Sequence, residues 1–321
     1  MAESHSSTSP ATLTFTKDKS RYRSRTITRV RESGIMAMLF SSTLLSVLVT
    51  ASIILILGTE TINFFQQDEV TVGEFFLETQ WNPLLGSEKH FGIWSLVCGT
   101  LLVAGIALLI AVPTGLITAV YLSEYAHPRV RAILRPALEI LAGIPTVVYG
   151  FFALVFLTPG LKFINEGFGS YNALAAGIAV GIMILPIISS LSEDALRAVP
   201  QSLRDAVYGL GGTQFDAAIK VVVPSALSGI ISSVLLAASR SIGETMIVVL
   251  AAGSTPKLTL DVREEIQTMT GFMVQMALGD VSNFGVEYYS MYAVAATLFV
   301  ITFIFTIFGA ILRKKFREVY E

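Results

Sequence analysis

The sequence predicts an all-α integral membrane protein with six transmembrane helices and both termini in the cytoplasm. Of its 321 residues, 53% are hydrophobic and 14% charged, against roughly 25% charged in an ordinary soluble domain. Mean hydropathy is +0.68. So few charges cannot wet a soluble surface, and disorder, collagen and a disulfide-rich secreted scaffold are excluded too. Six apolar stretches are each long enough to cross a hydrocarbon core about 30 Å thick. The basic residues alternate between sides. Seventeen of the 22 Lys and Arg lie in segments 1–34, 124–139, 193–220 and 313–321, and four in 60–90, 162–166 and 257–287. Positive loops stay in the cytoplasm, so the charge bias and the even number of spans give one topology.

Residues 1–34 are Ser/Thr-rich and then basic (Lys17, Lys19, Arg21, Arg23, Arg25, Arg29, Arg31). They read as a disordered cytoplasmic tail that touches anionic lipid. The 24-residue apolar run that follows is too long for a signal h-region. The transmembrane core occupies 35–312. Its spans are expected at Ile35–Gly58, within Phe91–Ser123 (interrupted by Pro113), at Ile140–Leu161, at Gly167–Ser192 (with Pro186), at Val221–Ala252 and at Tyr288–Leu312. Residues 313–321 form a basic cytoplasmic tail. The outer loop 60–90 carries Glu60, Asp68, Glu69, Glu74, Glu78 and Glu88 beside Phe64, Phe65, Phe75, Phe76 and Trp81. It is either a short folded piece that meets an outside partner or a solvated loop with an aromatic belt. Gly99, Gly105 and Ala111 permit close helix packing. Cys98 is read as packing, and His5, His90 and His127 lack metal-ligand spacing, so no metal site is expected.

The cytoplasmic loop 193–224 is long for a simple connection. Ser202 followed by Asp205 reads as a capping box that opens a short helix. Leu203, Ala206, Val207 and Leu210 share one apolar face, and Gly209, Gly211 and Gly212 end the helix. Thr213 with Asp216 opens a second helix, which runs to Pro224. The apolar face needs a cover, either the rest of this chain or a cytoplasmic protein.

Asp205, Ala206 and Val207, then Gly211, then Val221, Val223 and Pro224, keep the spacing of a cytoplasmic pattern in bacterial ABC importer permeases: EAA, three residues, G, nine residues, I, any residue, LP. Asp stands for Glu, and Val stands for Ala, Ile and Leu. The stretch Gly143, Ile144, Pro145 to Tyr149 and Gly150 resembles the phosphate-specific branch, as does Arg240 to Gly243, Glu244 and Thr245. Trp81-Asn82-Pro83, Phe91-Gly92-Ile93 and Gly99-Thr100-Leu101 resemble its PstC type more than its PstA type. The resemblance implies an ABC importer type I-like transmembrane domain. It places Ser202, Leu203, Asp205, Ala206, Val207, Leu210, Gly211 and Pro224 on a loop that couples to the ATPase. As partners it implies a PstA-like sister permease, a PstB-like ATPase dimer and a PstS-like periplasmic phosphate-binding protein, assembled in the bacterial inner membrane. ATP and Mg²⁺ belong to the ATPase, and no cofactor is expected on this chain.

Arg240 and Glu244 lie deep in an apolar run, where one charge costs about 2.5–3.5 kcal/mol on insertion scales. Four residues apart, they can pair. They are either a self-neutralised structural pair or pathway residues, with Arg240 meeting an oxyanion and Glu244 holding the guanidinium. The phosphate permeases keep an Arg and a Glu at these motif positions. Gly143 and Pro145 break the third span and are candidates for a hinge or gate, whereas Pro186 reads as a static kink.

No Gly-Lys dipeptide occurs, so a GxxxxGK[ST] phosphate loop is excluded. Glu244 is the mid-span carboxylate, and Arg240 can occupy it, which disfavours ion-gradient coupling. An external ATPase is the expected engine, with no enzyme activity on this chain and no nucleic-acid partner. The expected function is the permease subunit for inorganic phosphate uptake. The alternatives are a PstA-type or sulfate/molybdate ABC permease, a stand-alone secondary transporter or channel, and a membrane sensor of phosphate.

Overall fold

The computed structural model describes residues 25–83, 89–279 and 285–315, with side chains from Arg31 onward. The tail portions 1–24 and 316–321, and Glu88, lie outside the described residues. The chain divides into two units, Met1–Ile56 and Leu57–Glu321. In the first, helix α1 begins at Arg25, inside the segment expected to be a tail, and runs on into the second unit to end at Phe65. Nothing between Arg25 and Glu32 breaks a helix, and extending an established helix costs far less than starting one.

The second unit opens with a folded piece in the described part of 60–90, not a simple solvated loop. Helix α2 (Val72–Leu77) leads to strand β1 (Trp81–Asn82), antiparallel to β2 (His90–Phe91), with Trp81 opposite Phe91. Phe64, Phe75, Trp81 and Phe91 are buried, and Phe272 closes on Trp81 edge-to-face at 5.0 Å. The aromatic residues are a small core here.

Helix α3 (Trp94–Val120) passes Pro113 and ends in a π-helical turn, Tyr121–Tyr125. Helix α4 (Pro128–Ala142) is separate, tied to the next long helix by Arg131–Glu193 (2.6 Å) and Arg135–Asp194 (3.1 Å). The third span therefore starts later than expected. It comprises α5 (Thr146–Phe152), a π-helical turn (Ala153–Leu157) and α6 (Thr158–Ile164). Pro145 has no N–H to donate and disfavours helical backbone at Ile144, and with Gly143 beside it the helix breaks there.

Helix α7 (Ala173–Arg197) continues past Pro186. Its first N–H groups, on Ala173 and Leu174, donate to the carbonyls of Glu264 and Val262 in the segment between Ala251 and Met269. Glycine lets α7 lie against α3: a Cβ at Gly177 would sit 2.5 Å from Ile106 Cγ2, and one at Gly115 would sit 2.8 Å from Ile188 Cγ2. The seam between them is alanine-rich, with Ala107, Ala111, Ala176 and Ala179 fully buried.

The segment expected to be a cytoplasmic loop forms α8 (Gln201–Gly209), α9 (Gln214–Asp216), a π-helical turn (Ala217–Val222) and α10 (Val223–Ser225). After a 68° bend, α11 (Leu227–Ile242) follows, and buried Ser192 and Ser233 join it to α7 at 2.7 Å. Next come α12 (Met246–Ala251), α13 (Met269–Leu278) and α14 (Val286–Lys315). The expected single span Val221–Ala252 is thus in pieces. Among the described residues, five helices are long and apolar enough to cross a membrane, or six if the bent pair is one span.

Candidate functional site: a broken span and a helical elbow

Arg240 and Glu244 are brought together, but not on one continuous helix. Helix α11 stops at Ile242, and Gly243–Thr245 is non-helical before α12 begins at Met246. Arg240 Nη1 donates to Glu244 Oε2 at 2.6 Å. The other carboxylate oxygen, Oε1, accepts the N–H of Ile247 at 3.3 Å. Thr270 Oγ1 donates to the Glu244 carbonyl at 2.6 Å, so the first turn of α13 fastens the break. Glu244 is 2% exposed, whereas the Arg240 side chain is 42% exposed. A buried carboxylate therefore holds a guanidinium that still reaches outward. Among the described residues its Nε and Nη2 have no hydrogen-bond partner, and they can form a two-pronged donor to an oxyanion.

The second interrupted span lies beside the first. A Cβ at Gly150 of α5 would be 2.9 Å from Leu250 Cδ1 and 3.1 Å from Ile247 Cα, so α5 and α12 touch through that glycine. At the Gly143–Pro145 break, the carbonyl of Leu141 accepts the Tyr149 hydroxyl at 2.6 Å. A backbone group released by the break is thus re-paired within the same segment.

The elbow differs from expectation in detail. Pro200, not Ser202, precedes α8; Ser202 lies inside the helix and forms no cap, while Asp205 accepts from Gln201 at 3.1 Å. The second expected cap is present: Asp216 N donates to Thr213 Oγ1, and Thr213 N donates to Asp216 Oδ2. Gly211 takes φ +82°, a left-handed value that glycine adopts without strain. The buried face of α8 is rotated toward Arg204. Leu203 and Val207 turn inward, whereas Asp205, Ala206 and Gly211 are exposed. Leu210 is 90% exposed, and Tyr208, Phe215 and Ile219 also present apolar surface. Pro224 is exposed at the bend. Sequence reasoning missed Arg204 and its partner Glu124, because a charge on a loop between spans is solvated by default; Tyr208 and Phe215 were legible as aromatics outside any apolar stripe.

Residues 111–318 match the family model for the binding-protein-dependent transport system inner membrane component. The chain belongs to this family. It is 32% identical over 263 residues to the probable ABC transporter permease protein YqgH of Bacillus subtilis, covering 82% of this chain and 84% of that protein. It is 33% identical over 278 residues to the phosphate transport system permease protein PstC of Mesorhizobium japonicum, covering 78% and 83%. Two solved structures share the fold. One is a bacterial ABC transporter involved in import of the polysaccharide alginate (TM-score 0.59, 14% identity, 90% of this chain and 100% of that one). The other is the inward-facing MetNI methionine ABC transporter (TM-score 0.52, 18% identity, 71% and 95%). This permease is a multi-pass membrane protein, and its family supplies a transport component, not a catalyst.

Proposed function

We propose that this permease is the PstC-type subunit of an ATP-driven importer of inorganic phosphate. With a PstA-like sister it lines the route by which a PstS-like periplasmic binding protein delivers phosphate to the cytoplasm. A PstB-like ATPase pair, using ATP and Mg²⁺, docks on the elbow around α8. The chain crosses the bacterial inner membrane six times with both termini in the cytoplasm; the distribution of Lys and Arg supports that orientation.

The observation that carries this reading is the half-exposed Arg240 guanidinium held from behind by buried Glu244 at a break in a span. A planar fork fits a phosphate edge, and partial neutralisation keeps it from holding the anion too tightly to release. The resemblance to PstC supports phosphate as the anion. Gly143 and Pro145 sit at the neighbouring break, where a hinge would let α5 and α12 shift together. The elbow, with Leu210 and Phe215 outward, offers the apolar surface that a docking groove needs.

The test is uptake of labelled phosphate into proteoliposomes, with the partner subunits added one at a time. Uptake should require the ATPase, the binding protein and ATP, and should resist competition by sulfate and molybdate. Arg240→Gln should abolish it, and Arg240→Lys, which keeps the charge but loses the fork, should impair it strongly. Normal uptake by both variants at low phosphate refutes the pathway role, and uptake driven by an ion gradient without the ATPase refutes the importer reading.

A further inference from the structure

We propose that Glu124, at the end of α3, and Arg204, on α8, form a rigid link that carries movement of the docking elbow into the membrane; this rests on the proposed docking of an ATPase at that elbow. Arg204 is 8% exposed although it lies on a nine-residue cytoplasmic helix. Its Nε donates to Glu124 Oε2 at 3.1 Å and its Nη2 to Oε1 at 2.9 Å. The remaining donors reach the C-terminal end of α7: Nη1 to the Val199 carbonyl at 2.7 Å and Nη2 to the Leu196 carbonyl at 3.0 Å. Glu124 takes a further hydrogen bond from Ser123 at 2.7 Å, and its main-chain carbonyl accepts the Gln214 side chain from α9. Both helices of the elbow therefore converge on one residue, α8 through the Glu124 side chain and α9 through its backbone.

Stability is a poor explanation for this pair. Burying two charges costs desolvation that their attraction barely offsets, and an apolar pair of similar size would hold α8 at least as firmly. A two-pronged guanidinium–carboxylate contact does what apolar packing cannot: it fixes distance and orientation together. Leu203 and Val207, the inward apolar residues of α8, are only partly buried and leave that orientation open. The recipient is stiff. Helix α3 lies on α7 through Gly115 and Gly177 with no room for slip, so a displacement at Glu124 moves the α3–α7 pair as one body. Arg204 and Glu124 are positioning residues, which need not contact the transported anion or the nucleotide.

The complex with its ATPase tests this by pulsed EPR, with spin labels at Gln201, exposed at the start of α8 and outside the apolar docking surface, and at Ile117 (71% exposed). In the wild type the label distance should stay the same without nucleotide and with a non-hydrolysable ATP analogue, because elbow and α3 move together. In Glu124→Gln and in Arg204→Met it should shift or broaden on nucleotide binding. Both variants should still co-purify with the ATPase and hydrolyse ATP, while substrate carried per ATP falls about tenfold. The double variant should be no worse than the poorer single one, as expected of residues that act as a unit. A wild-type distance that changes with nucleotide, variants that keep the wild-type transport ratio, or loss of ATPase binding would each overturn the link. Failure of the wild-type complex to carry phosphate would instead sink the proposed function, and the label distances would still decide the link.

Discussion

Glu244 faces Arg240 from beyond the end of the helix that carries the arginine, and it also accepts a main-chain N–H in the first turn of the helix that follows. One carboxylate thus neutralises a guanidinium through Oε2 and satisfies Ile247 through Oε1. The break at Gly243 makes this possible, since on an unbroken helix the Ile247 N–H would be committed to the carbonyl four residues before it. The pair is therefore asymmetric: Glu244 is locked on both sides and buried, while Arg240 is tethered at one nitrogen and half exposed.

That asymmetry predicts unequal costs. Arg240→Gln removes the charged partner of a buried carboxylate, and its thermal stability should fall by about 1–3 kcal/mol, less than for a fully buried pair because the Arg240 side chain is 42% exposed. Glu244→Gln leaves an arginine that reaches outward and a side-chain oxygen that can still accept from Ile247, so it should cost less. Its transport should nevertheless suffer, through tighter anion retention: uptake rate falls while apparent affinity rises. Thermal melts in detergent and uptake kinetics on the same preparations check both halves. Equal melting temperatures for the two variants would contradict the structural reading.

The glycines make a sharp comparison. A Cβ at Gly177 would meet Ile106 Cγ2 at 2.5 Å and its Cβ at 2.6 Å, whereas at Gly105 nothing lies within 4 Å. The Ile106 Cβ is fixed to the backbone and cannot swing aside. Gly177→Ala should destabilise by about 1–3 kcal/mol through overpacking. Gly105→Ala should be neutral or slightly stabilising in the helix interior. Melting temperatures of the two variants provide the test.

At the Gly143–Pro145 break, Tyr149→Phe removes the hydroxyl that donates to Leu141. The Ile144 N–H still reaches that carbonyl at 3.3 Å, so the loss should be modest, about 1 kcal/mol. Hydrogen exchange should rise locally, over Ile144 to Val148, and stay unchanged in α7. Uniform exchange across the chain would show that the hydroxyl does not hold this break.

Much of this architecture was legible in sequence because lipid imposes length and apolarity on a span. Trp94–Val120 and Val286–Lys315 fall where hydropathy places them, and Ala173–Arg197 begins and ends a turn or more later than the expected Gly167–Ser192. The interruptions were legible less well. Pro145 announced its break, yet Gly243–Thr245 lies in a run that hydropathy reads as continuous, and only the paired charges marked it. Pro113 and Pro186 look equally disruptive in sequence but remain inside helices. The Glu124–Arg204 contact spans 80 residues and has no local signature. The same holds for the rotation of α8: its apolar stripe was visible, but which flank turned inward depended on where Arg204 found a partner.

The elbow yields a prediction in which two leucines of one predicted stripe behave oppositely. Leu210 is 90% exposed, while Leu203 packs against the cluster of Ala119, Leu196, Val199 and Val222. Leu210→Glu adds a charge where water already reaches, so the permease should melt within about 0.5 kcal/mol of the wild type. If the ATPase docks here, the same charge enters an apolar contact and should weaken co-purification by about tenfold or more. Leu203→Glu should do the reverse in order, destabilising the permease by about 1–3 kcal/mol as a charge is pressed against an apolar cluster, with lost docking only as a consequence. Quantifying bound ATPase per folded permease for each variant separates the two effects. Undiminished binding by the Leu210 variant would place the docking surface elsewhere on the cytoplasmic face.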